Sequence, residues 1–505
     1  MNLSLFKRLR EVYSAGAGTM VCMSYDGPTD LYIGGEWRTG ESDETIDSVD
    51  PATEDVFATV AAASSEDVDA AVAAAREAVQ PGSEWRRMAP SERASVLHEF
   101  ADAIEGWRDE IILTESRDNG KTLFEAKLEH GMVVDTLRYY AGWADKIEGS
   151  QIPVAGNRLD YTLREPVGVT GHIVPWNYPF QLAGRSIAPA LACGNSLVVK
   201  PSSQTPLSAL YYAKAAAEAG LPDGVINVLP GRGSVAGNAL VEHDGVDHIT
   251  FTGSTEIGTE IASRAGEQVT NVTLELGGKG PQIVFPDANL DAAAQGIRYG
   301  IFMNCGQMCW AGSRLVVHED VHDEVVDAVV DHAESIPLGD GIDDNAQMGP
   351  MVSASQREEV LEYIDIATSE GATVATGGGS PDDRDEGYFV EPTVLTDVTN
   401  DMTVAREEIF GPVLSVIEVS DEDEALAVAN DSPYGLMACV WTNDLSRAHE
   451  FARDLEYGMV NVNETPNTFP QTPFGGVKQS GTGREQGEYA IEEYTRVKNV
   501  NVNLQ

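Results

Sequence analysis

Three short segments of this chain place a thiol, a carboxylate and an amide beside glycine or proline. Cys309 lies in Asn304-Cys305-Gly306-Gln307-Met308-Cys309-Trp310-Ala311-Gly312. A cysteine among small residues and glycines can stand exposed at a tight turn, where backbone N–H groups lower its pKa from ~8.5 and favour the reactive thiolate. The same residues also fit a buried apolar cysteine. Glu275 opens Glu275-Leu276-Gly277-Gly278-Lys279, just after the alternating Val272-Thr273-Leu274. In isolation it reads as a solvated glutamate at a strand end. Asn177 lies in Pro175-Trp176-Asn177-Tyr178-Pro179-Phe180, where the prolines stiffen its loop. A turn asparagine fits that setting equally well.

Two glycine clusters point to a nucleotide. Gly253-Ser254-Thr255-Glu256-Ile257-Gly258 follows a strand ending at Phe251 and opens a helix. Free backbone N–H groups and the positive end of the helix dipole suit a pyrophosphate there. No Gly-Lys-Ser/Thr follows, so this is not a P-loop. Gly231-Arg232-Gly233 with Gly237 imitates the dinucleotide fingerprint with one residue too many. Each cluster alone reads as a turn; both within one β-α-β region favour a nucleotide.

The elements that must position these residues alternate. Val167–Thr170, Ser196–Val199, Val225–Val228 and His248–Phe251 are short β-branched runs, with helical stretches over 206–219 and 234–242 between them. That rhythm predicts a doubly wound parallel sheet. A second α/β region follows from Pro281-Gln282-Ile283-Val284. Before both, Leu31-Tyr32-Ile33 reads as a strand. Ser64 or Ser65 can cap a helix with Val68, Val72, Ala75 and Val79 on its apolar side, and Ser91 can cap another with Ala94, Leu97, Ala101 and Ile104. Tyr494–Val502 alternates enough to be an edge strand.

Composition excludes several classes. With 33 Lys+Arg against 81 Asp+Glu in 505 residues, the net charge is −48. Such a surface repels phosphate backbones and acidic headgroups, which argues against nucleic-acid and membrane-surface binding. A hydrophobic fraction of 42% still supports real cores, and the length suggests more than one domain. The acid is spread along the chain, which predicts a salt-adapted cytoplasmic protein whose self-repulsion is screened at high ionic strength. No apolar run reaches the ~18 residues of a membrane helix. Cys22, Cys193, Cys305, Cys309 and Cys439 form no C-x-x-C and have no histidine close by, so neither a disulfide framework nor a metal site is expected. Residues 1–22 differ in charge from the rest, and Met23 is a second plausible start. They are expected to be an unstructured extension or a mis-assigned start, which the intact mass of the native protein decides.

Pro175–Phe180, Phe251–Gly258, Glu275–Lys279, Asn304–Gly312, Glu407-Glu408-Ile409-Phe410-Gly411-Pro412 and Pro473-Phe474-Gly475-Gly476 occur in that order in one chain. This set resembles the NAD(P)-dependent aldehyde dehydrogenase superfamily over roughly residues 30–500, including the 34-residue spacing from Glu275 to Cys309. The resemblance implies that Cys309 attacks the aldehyde to give a thiohemiacetal. The Asn177 amide and the Cys309 backbone N–H would form the oxyanion hole. Hydride transfer to the nicotinamide would then leave a thioester, which Glu275 hydrolyses as general base for water. No chemistry is assigned to Cys305. For NADP or NAD, the resemblance assigns Lys200 to the adenosine ribose, Gly253 and Ser254 to the pyrophosphate, and Glu408 to the nicotinamide ribose. Phe410 would stand against the ring, with Trp176 and Gly233 in the same site. Family members that prefer NAD often carry glutamate where this chain has Ser203, so NADP is expected to be accepted at least comparably.

For the substrate, Arg185 occupies a place where members oxidising carboxylate-bearing aldehydes carry arginine. This implies a semialdehyde such as succinate semialdehyde or 2,5-dioxopentanoate, gripped bidentately. An arginine paired with one of the chain's many acids fits as well. Tyr178, Trp310 and Phe474 would line the pocket. Small neutral aldehydes or betaine aldehyde are the alternative substrates, and a catalytically silent binding protein is the alternative of another class. A CoA-acylating enzyme is disfavoured by Glu275. The implied architecture is a Rossmann-like cofactor domain (24–147 and 167–279), an α/β catalytic domain (280–480) and oligomerisation strands (148–166 and 490–505) that would join a homodimer or homotetramer.

Overall fold

The computed structural model describes residues 25–504; the expected extension at 1–22, with Cys22, lies outside the described residues. Two large sheets dominate. In the first, the strands run in the order Gly481–Thr482, Asn271–Glu275, His248–Thr252, Val169–Ile173, Ser196–Lys200, Ile226–Val228, Leu31–Ile33, Glu36–Arg38. Its middle strands, from Asn271–Glu275 to Ile226–Val228, are mutually parallel. The other pairings are antiparallel. Ser196–Lys200 is buried at every position, as expected of a parallel strand covered by helices on both faces.

The second sheet runs Thr373–Thr376, Thr393–Thr396, Val413–Val419, Arg314–His318, Pro281–Val284, Met437–Trp441, Met459–Val462 and is parallel except at its first pair. A smaller antiparallel sheet joins Gln151–Ile152, Arg158–Pro166 and Thr495–Asn503. Each large sheet has its own apolar core. Leu197, Val199 and Leu210 belong to one, and Leu315, Val317 and Val416 to the other. Gly481–Thr482 crosses back to pair with Asn271–Glu275, so the C-terminal part of the chain is laid against Glu275.

Several boundaries differ from the periodicity. The strand expected at Val167–Thr170 is Val169–Ile173, because Gly168 turns the chain at φ +133°, a conformation that side chains rarely adopt. Ser91 is not a cap. The helix Pro90–Gly106 starts with proline at its first turn, and Glu92 reaches back to accept the Ala89 N–H at 2.9 Å. Ser64 does cap Ser65–Ala78, in a reciprocal box with Asp67. The expected 234–242 helix begins as a π-helical turn over Gly233–Gly237 before Asn238–Val241.

Candidate active site

Cys309 follows a strained turn. Asn304 and Cys305 have φ of +45° and +54°, and Gly306 has φ +71°. Gly306 has no room for a side chain, since a Cβ would lie 2.1 Å from the Gly411 carbonyl oxygen. Three consecutive left-handed residues persist only where the surroundings hold them, and here side chains from distant segments do so. The Asn304 N–H donates to Glu125 at 2.6 Å. The Asn304 amide donates to the Asn177 carbonyl at 2.8 Å. Asn119 donates to the Trp176 carbonyl at 2.8 Å, and the Asn177 amide donates to the Gln307 carbonyl at 2.9 Å. One hydrogen of the Asn177 amide is thereby fixed two residues before Cys309, which sets the direction of the other.

Cys309, Asn177, Tyr178, Arg185, Trp310 and Phe474 all line one cavity of about 1030 Å³. The Trp310 and Phe474 rings lie 5.7 Å apart. Glu275 is not on that wall. It is 1% exposed and neither carboxyl oxygen has a hydrogen-bond partner. It packs behind the cavity, where a Cβ at Gly475 would be 2.9 Å from its Oε1. Burial, then the nearby Glu485, pushes its pKa well above the ordinary carboxyl value, while Arg185 and Arg484 pull the other way.

Two sequence expectations need correction. The Cys309 thiol is pushed up to about 12, not lowered: burial outweighs Arg185 and the residue's own backbone N–H, and Glu408 and Glu275 add to the rise. Arg185 does not stand free for a carboxylate. Its Nε is ion-paired with Glu485, the two side chains being 3% and 2% exposed. Glu485 escaped the sequence reading because it lies 300 residues from Arg185, in no motif with it. Asn119 and Glu125, which hold that turn and the Trp176 loop from outside the quoted segments, escaped likewise, since they resemble ordinary surface positions.

The candidate cofactor residues form a second group. Lys200 is 4% exposed, and its Nζ donates to the carbonyls of Pro201 at 2.8 Å and Gly231 at 3.3 Å. Burial lowers its pKa to about 8. An ammonium held by carbonyls alone fits a ligand that supplies oxygen acceptors. Gly233 opens the π-helical turn near it, and Ser203 is half-buried in the following loop. Gly253 donates its N–H to the Glu275 carbonyl at 3.1 Å, and Ser254 caps the helix Thr255–Glu267. Val235 and Ile257, on that turn and that helix, are 41% and 45% exposed, an apolar pair that sequence reading passed over. Glu408 accepts the Gly278 N–H at 2.8 Å, and burial raises its pKa to about 7. Phe410, at φ +56°, meets Trp176 edge-on at 5.2 Å.

The aldehyde dehydrogenase family model matches residues 37–500. This chain belongs to that family. It is 48% identical to the Bacillus subtilis protein DhaS over 481 residues, 95% of this chain and 96% of that protein. It is 46% identical to the mitochondrial aldehyde dehydrogenase of Mesocricetus auratus, over 94% of this chain and 95% of the other. Among solved structures, the NAD+ complex of a Bacillus cereus aldehyde dehydrogenase superposes with TM-score 0.94 at 46% identity, covering 95% of this chain and 98% of that one. A Staphylococcus aureus betaine aldehyde dehydrogenase with NAD+ superposes with TM-score 0.93 at 40% identity, covering 95% of each. The α/β architecture of this aldehyde dehydrogenase is that of the family.

Proposed function

We propose that this aldehyde dehydrogenase oxidises a neutral aldehyde to its carboxylic acid by a hydrolytic, CoA-independent route. The observation that carries the reading is the fixed pair Asn177 and Cys309 on one wall of the cavity, with Glu275 buried behind it. Cys309 adds to the carbonyl carbon and forms a thiohemiacetal, and the free Asn177 N–H and the Cys309 N–H receive the charge on oxygen. NAD(P)+, when bound, would supply the hydride acceptor, and loss of hydride from the adduct carbon would leave a thioester on Cys309. Glu275, a stronger base than an ordinary carboxylate once deprotonated, takes the proton from the attacking water. Lys200, Ser203 and Gly233 would hold the adenosine half of NAD(P), with Val235 and Ile257 offering apolar surface to a base. Gly253 and Ser254 are assigned to the pyrophosphate, and Glu408, Phe410 and Trp176 to the nicotinamide half.

The charge of Arg185 is met by Glu485, which supports a neutral substrate over a carboxylated one. The semialdehyde reading rests on the residue type alone. A second reading, a cationic aldehyde such as betaine aldehyde, is favoured by Asp135, Asp343 and Asp344, acids that are exposed along the same cavity. Acid formation from propanal, betaine aldehyde and succinate semialdehyde, with and without CoA, tests both. Preference for succinate semialdehyde would reject the neutral and cationic readings, and a CoA requirement would reject the hydrolytic one.

We also infer a homo-oligomer formed through the three-stranded sheet. Val497, Leu159 and Leu163 are exposed on it, Val497 by 62%. Light scattering on the eluted protein checks this, a monomer being the contrary result. No described helix is long and apolar enough to cross a membrane. The acidic composition supports a salt-adapted cytoplasmic enzyme, expected to gain stability with added KCl.

A further inference from the structure

We propose that Arg185 is a positioning residue for the nucleophile: clamped by Glu485, it presents a fixed positive charge against which the Cys309 thiolate forms, and it does not anchor the substrate. The proposal rests on the reading of Cys309 as nucleophile.

The clamp begins in the central sheet. Thr250, in the strand His248–Thr252, donates its hydroxyl to Glu485 Oε1 at 3.1 Å. The Glu485 backbone is bound to Phe474 in both directions, at 2.6 and 2.8 Å. Glu485 Oε2 pairs with Arg185 Nε. The Arg185 guanidinium then lies over the Phe474 ring, 4.2 Å from its centroid. One face and one edge of the guanidinium are therefore occupied by parts of the scaffold that cannot withdraw. Nη2 is a buried donor with no hydrogen-bond partner, on a side chain that shares the cavity wall with Cys309.

The other groups around the thiol oppose ionisation. Glu408 comes from the loop after Thr403–Arg406 and Glu275 from the end of its strand. Arg185 is the charged side chain that favours the thiolate among those acting on Cys309. Glu485 weakens that influence by neutralising it, and also disfavours ionisation of Glu275. The pair thus connects the nucleophile with the base behind it. A mobile arginine would suit a substrate that arrives and leaves; a clamped one suits a charge that forms in the same place at every turnover.

Two substitutions with opposite expected signs test this. Alkylation of Cys309 by iodoacetamide, a neutral reagent, is followed by peptide mass spectrometry across pH in the cofactor-free enzyme. Arg185→Gln should raise the midpoint by on the order of one pH unit, making alkylation at neutral pH about tenfold slower. Arg185→Lys should stay closer to wild type, and Glu485→Gln, which keeps the acceptor for Thr250, should lower the midpoint. If Arg185→Gln does not fold, Glu485→Gln decides alone. A midpoint that is unchanged or raised in Glu485→Gln overturns the proposal, as does an unchanged one in a folded Arg185→Gln. A substrate anchor would instead leave every profile in place and change only KM for succinate semialdehyde. NADH formation by fully alkylated wild type is read separately. Activity surviving alkylation would reject Cys309 as nucleophile while the midpoints still report on Arg185.

Discussion

Gly278→Ala should disable this enzyme without unfolding it. A Cβ at position 278 would sit 2.1 Å from the Cys309 carbonyl oxygen and 3.4 Å from Leu436 Cβ. Real Cβ contacts do not fall below 3.0 Å, so the two backbones must part by roughly 0.9 Å. The obstructing atom is main chain, so no rotamer change relieves it, and the residue displaced is the nucleophile. The Gly278 N–H also holds Glu408, so the nicotinamide side of the site shifts with it. A misplacement of about 1 Å costs on the order of 100-fold in rate, or about 2.7 kcal/mol of transition-state stabilisation. The accompanying overpacking costs about 1–3 kcal/mol of stability. Gly277→Ala is the matched control. Its Cβ would meet the Glu408 carboxylate at 2.3 Å, the end of a side chain that can turn away, so its effect should fall on KM for the cofactor. The assay is NADH formation from propanal at saturating NAD+, with melting curves for both variants. A Gly278→Ala enzyme within about threefold of wild type in kcat/KM would refute the reasoning.

Other expectations follow from the same geometry. Asn177→Ala should lower kcat by about 10²–10³-fold, as loss of one oxyanion donor does, with little change in cofactor KM; an unchanged kcat counts against Asn177. Asp118, fully buried against Ser48 and the Leu207 N–H, has its pKa raised from 3.8 to about 8, mainly by burial. The folded state keeps a proton that the unfolded chain releases, so this contribution to stability is complete below the unfolded pKa and declines as pH rises toward about 8. Melting temperatures across that interval should fall in wild type and flatten in Asp118→Asn. With Ser203 in place of a carboxylate, kcat/KM for NADP should be comparable to that for NAD; a preference for NAD beyond about 100-fold refutes this.

Much of the site was legible because its chemistry sits in contiguous segments. Asn177, Tyr178, Cys309, Trp310 and Phe474 are found within short runs whose glycines and prolines mark the turns that bring them to one cavity. The parallel strands were legible for a similar reason, since Ser196–Lys200 and His248–Thr252 are β-branched runs bounded by turns. What could not be read was set by partners far along the chain. For Arg185 the sequence left a substrate anchor and a pairing with some acid equally open, because Glu485 is invisible from its surroundings in sequence. Cys309 looked activated because local N–H groups can be read from a turn, whereas the burial that raises its pKa is made by the whole fold. Glu275 looked solvated for the same reason, and its isolation depends on Gly475 and Gly481 being returned to it from the C-terminal region.

The central claim, that Cys309 carries the acyl group and Glu275 releases it, is tested most directly by trapping. Glu275→Gln enzyme mixed with propanal and NAD+, quenched in acid and digested, should show a propionyl group on the Cys309 peptide. One NADH per active site should form in a burst, followed by slow turnover. No acyl group on Cys309, or turnover that survives Cys309→Ala, would contradict the account.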